Sequence, residues 1–70
     1  MAKQLFEVVL IERGVKETVH EKGTEDEVIA GVDLYLADNI EQAKSIALLD
    51  NAVQIEHPER LEVVARPFRG

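Results

Sequence analysis

Two periods alternate along this chain: a two-residue repeat in three stretches and a 3.6-residue repeat in one. The first two-residue stretch runs from Gln4 to Glu12, Gln-Leu-Phe-Glu-Val-Val-Leu-Ile-Glu, and is rich in β-branched and aromatic residues. It predicts a strand with Phe6, Val8 and Leu10 on one face and Leu5, Val9 and Ile11, interrupted by Glu7, on the other. Apolar residues on both faces point to a central strand. Gly14 ends it. Val15 to His20 predicts a short exposed strand with Val15 and Val19 as its apolar points. Glu21 to Glu27 is polar and acidic and contains Gly23, which predicts a turn. Together, residues 14–27 read as a flexible acidic hairpin projecting from the body.

The second strand is predicted over Val28 to Ala37. Val28, Ala30, Val32, Leu34 and Leu36 form an unbroken apolar row that should meet the helix, while Ile29, Gly31, Asp33, Tyr35 and Ala37 take the other face. Gly31 marks a bulge or a close backbone approach. Over Asp38 to Ala52 the period becomes helical, with Ile40, Ala43, Ile46 and Ala47 on the buried stripe and Leu48 well off it. Asp38 is the expected N-cap, and Glu41, three residues on, completes a capping box. The helix should end near Asp50 or Asn51, asparagine being tolerant of the left-handed cap conformation.

Val53-Gln54-Ile55 is expected to add a short extended piece, and His57-Pro58-Glu59 to turn the chain. Arg60 to Phe68 predicts the last strand, with Leu61, Val63 and Ala65 facing one way and Glu62, Val64, Arg66 and Phe68 the other. Pro67 cannot donate to a ladder, so this strand is an edge or ends there.

A hairpin reverses the chain between the first two strands, and a right-handed helical crossover over the first strand returns it. The predicted fold is α+β: β-β-α-β, a three-stranded antiparallel sheet of order 2-1-3 covered on one face by a single helix, within one domain spanning residues 1–70. Its topology resembles part of a ferredoxin-like fold, which implies no activity. One helix covers one face only. The bare face is expected to show Leu5, Val9, Ile11, Ile29, Tyr35, Val64 and Phe68. Contiguous apolar residues on adjacent strands mark an interface.

Composition narrows the function. Seventy residues with no cysteine make one small core without disulfide or thiolate support, a size at which oligomerisation often supplies stability. The formal charge of −6, from 14 acids against 8 bases, disfavours nucleic acid and anionic membranes as partners. The arginines Arg60, Arg66 and Arg69 gather near the end, where they read as ion-pair partners. No apolar run reaches membrane-spanning length and Met-Ala-Lys-Gln is no signal peptide, so the expected place is the cytoplasm or a particle assembled there. Neither His20 nor His57 has metal-ligand or triad spacing, the acids of residues 21–27 lack the ligand and glycine pattern of a calcium loop, and the glycines are scattered. No catalytic, metal or cofactor-binding residue is therefore assigned.

The opening Leu-Phe-Glu-Val-Val-Leu-Ile, the Ala37-Asp38 junction before Gln42-Ala43, and the closing Leu-Glu-Val-Val-Ala-Arg-Pro-Phe resemble small uncharacterised proteins of phages and some bacteria. That resemblance implies a virion or assembly component rather than an enzyme. The expected function is a non-enzymatic structural or interaction module that self-associates or decorates a larger assembly. The alternative is a small regulatory or ligand-binding domain acting as a homodimer, with Tyr35, His57 and arginines around a ligand.

Overall fold

A computed structural model describes residues 3–69. Its order is β1 (Gln4–Glu12), β2 (Glu27–Ala37), α1 (Ile40–Asp50), two single 3₁₀ turns (Ala52–Gln54 and Pro58–Arg60) and β3 (Leu61–Pro67). The sheet is three-stranded, in order β2-β1-β3, with β1 antiparallel to both neighbours. This is the β-β-α-β path expected from the periodicity, with the first strand at the expected residues.

The core lies between one sheet face and the helix. Phe6, Val8 and Leu10 of β1 are buried, with Ala37, Ala43 and Ala47. The two helical alanines let α1 lie close to the sheet, and Leu61, Val63 and Ala65 of β3 pack against this cluster from the expected face. Leu48 packs against it too, so the buried stripe of α1 is wider than Ile40, Ala43, Ile46 and Ala47 alone.

The helix starts one residue later than expected. Asn39, not Asp38, is the N-cap: its Oδ1 accepts from the Gln42 amide at 2.8 Å. The Gln42 side chain reaches back, its Oε1 accepting from the Asp38 amide at 2.6 Å. The reciprocal logic of a capping box survives with Gln42 in the place expected for Glu41. At the other end Asn51 does not adopt the left-handed conformation; its φ is −111°. It is buried and caps with its side chain, Nδ2 donating to the Ala47 carbonyl at 2.8 Å. The following Ala52–Gln54 is a 3₁₀ turn instead of an extended piece, and from it the chain brings Ile55 against the core.

Residues 13–26 form no strand, so the short strand expected over Val15 to His20 is absent. The two limbs of the loop are held by Thr24 N–H to Val15 O at 2.8 Å, and its tip by Thr18 N–H to Glu21 O at 2.9 Å. Side-chain acceptors do much of the remaining work: Asp26 Oδ1 takes the Gly14 amide and Thr24 Oγ1 the Val15 amide. Val15, Lys16 and Val19 alternate in apolarity too sparsely to make a buried face, and such local bonds from Thr and Asp compete with a ladder. The loop extends the β1–β2 hairpin into an arm. The molecule measures 52 × 22 × 14 Å, with a radius of gyration of 14.2 Å, against roughly 11 Å for a compact domain of this length.

Candidate functional site: the open face of the sheet

The face of the sheet away from α1 carries the site. Register assigns its rows. Leu5 lies opposite Leu36 on β2, and the Phe68 amide donates to the Leu5 carbonyl at 2.9 Å, extending the β3 ladder by one residue. Glu7 lies between Leu34 and Arg66, Val9 opposite Val64, and Ile11 between Val28 and Glu62. Val32 joins Val9 and Val64 around a shallow depression of about 150 Å³ whose remaining walls are Glu7 and Arg66.

Two irregularities in the β1–β2 register interrupt the alternation of β2 between Val28 and Val32. Val8 pairs with Asp33 but Leu10 pairs with Ala30, so β2 spends one extra residue at Gly31-Val32. Leu10 to Ile11 then spans Ala30 to Val28, a second extra residue at Ile29. Gly31 has φ +115°, a conformation L side chains rarely adopt. Each extra residue shifts alternation by one and exchanges the faces of everything beyond it.

The expected interface set is therefore corrected in part. Leu5, Val9, Ile11, Val64 and Phe68 are on the open face. Ile29 and Tyr35 are not: both pack against the core on the helix side. The row Val28, Val32, Leu34 and Leu36, expected under the helix, stands in the open, with Val32 63 % and Leu36 56 % exposed. Pairing decides this: Leu36 lies opposite Leu5 and Leu34 opposite Glu7, and the two extra residues cancel so that Val28 shares their face, while Ala30 alone leaves the row at the bulge that Gly31 signals. The exchange makes the open face more apolar than expected. Seven large apolar side chains there are exposed, Leu5, Val28, Val32, Leu34, Leu36, Val64 and Phe68, against three large ones buried in the core, Phe6, Val8 and Leu10.

One charged pair on this face sits at its centre, and a second, Arg13 Nη1 donating to Glu62 Oε2 at 3.0 Å, lies toward the loop end. Arg66 Nε donates to Glu7 Oε1 at 2.6 Å across β1 and β3. Arg60 likewise binds Glu12 at 3.0 Å at the far end of the same strands. Two of the three clustered arginines are thus ion-paired, as expected. Beside the first pair, Glu7, Arg66, Pro67 and Arg69 border an open depression of about 430 Å³.

Tyr35 and His57 do not share a pocket within one chain. Tyr35 lies opposite Phe6, and its hydroxyl donates to Asp50 Oδ2 at 2.8 Å and accepts from Asn51 Nδ2 at 3.3 Å. Burial, then the bond to Asp50, raises its phenol above the usual value near 10. His57 sits by Glu12 (3.9 Å) and Glu59 (3.6 Å), six residues further along β1, a distance of roughly 20 Å. Among the described residues, no three His, Cys, Asp or Glu side chains are grouped to hold a metal ion. No helix among them is long and apolar enough to cross a membrane. Comparison with protein-family models, curated proteins and solved structures finds no match.

Proposed function

We propose that this chain is a non-enzymatic structural module that self-associates or decorates a larger assembly, docking through the open face of its sheet. A phage particle is the most specific version, and the resemblance of the two ends and the helix to small uncharacterised proteins of phages and some bacteria supports it. One observation carries the reading: seven large apolar side chains stand exposed on one continuous face. Isolated surface apolar residues need no explanation, but a contiguous group on adjacent strands does. At about 25 cal/mol per Å², burying several hundred Å² gives a gross gain on the order of 10 kcal/mol, enough to compete with the cost of association. The expected setting is the cytoplasm or a particle assembled in it, with neither nucleic acid nor membrane as partner.

The test places a charge in the face. In extracts of the native cell, the wild-type chain should migrate in a species heavier than one chain. Val9→Lys and the more exposed Leu36→Lys should migrate as free chains with unchanged far-ultraviolet circular dichroism. If folded variants and wild type migrate alike, the reading is wrong.

A further inference from the structure

We draw no further inference here: the strongest candidate, the open apolar face of the sheet around Val9, Val32 and Val64, is the docking surface already described, and nothing in the structure shows what covers it.

Discussion

Gly31 lies against the backbone of Val8: a Cβ at position 31 would stand 2.7 Å from the Val8 carbonyl oxygen. It would also lie 3.0 Å from the Val9 Cα. Both neighbours are backbone atoms of the central strand and cannot swing aside as a side chain can. The close approach and the φ of +115° are where β2 changes parity, and that change turns Ala30 to the helix side while Val32, Leu34 and Leu36, of the same alternation, stand on the open face.

Gly31→Ala should therefore destabilise the fold by about 1–3 kcal/mol, the range for a side chain held in a disfavoured backbone region. A urea titration measures it. A midpoint equal to that of wild type would show that β2 has no glycine requirement at this position.

The two candidate caps separate cleanly. Asn39→Ala removes the acceptor of the Gln42 amide and should cost about 0.5–2 kcal/mol. Asp38→Ala leaves the backbone amide that donates to Gln42 in place and should cost less than about 0.5 kcal/mol. The reverse order in chemical denaturation would place the helix start at Asp38.

Tyr35 links β2 to the end of α1 through Asp50 and Asn51, and its phenol is raised by burial and by the Asp50 carboxylate. The folded state thus holds the proton more tightly than the unfolded one. Its contribution is complete below pH about 10 and is lost as pH rises through the folded pKa. The thermal midpoint of wild type should fall above pH about 10 more steeply than that of Tyr35→Phe. Parallel curves for the two proteins would contradict this linkage.

Periodicity made the strand order, the helix and the core face of β1 legible, because Phe6, Val8 and Leu10 alternate without interruption and Ala43 and Ala47 recur at helical spacing. It misplaced the faces of β2. The row from Val28 to Leu36 shares one face apart from Ala30, but pairing with Leu5 and Glu7 makes that the open face, and the two extra residues cancel by Val28. Gly31 signals the first bulge, whereas the second, at Ile29, is carried by no residue type in the local pattern. The helix start was missed by one residue because Asp38 and Asn39 are both good caps by type. Gln42, reaching past Asn39 to the Asp38 amide, decides between them. At Asn51 burial beside Tyr35 replaced the left-handed cap with a side-chain one.

Whether the open face is covered in the working state can be read directly, because the chain has no cysteine and a single introduced thiol reports on its own position. Val64→Cys lies in the middle of the face, and Ser45→Cys is exposed on the helix away from the sheet. Maleimide labelling of each in the native cell, and again after dilution in denaturant, gives the protection at each position. Cys at 64 should react at least about tenfold more slowly than Cys at 45 in the native cell, as burial in a packed contact requires, and equally fast once unfolded. Equal rates in the native cell would contradict it.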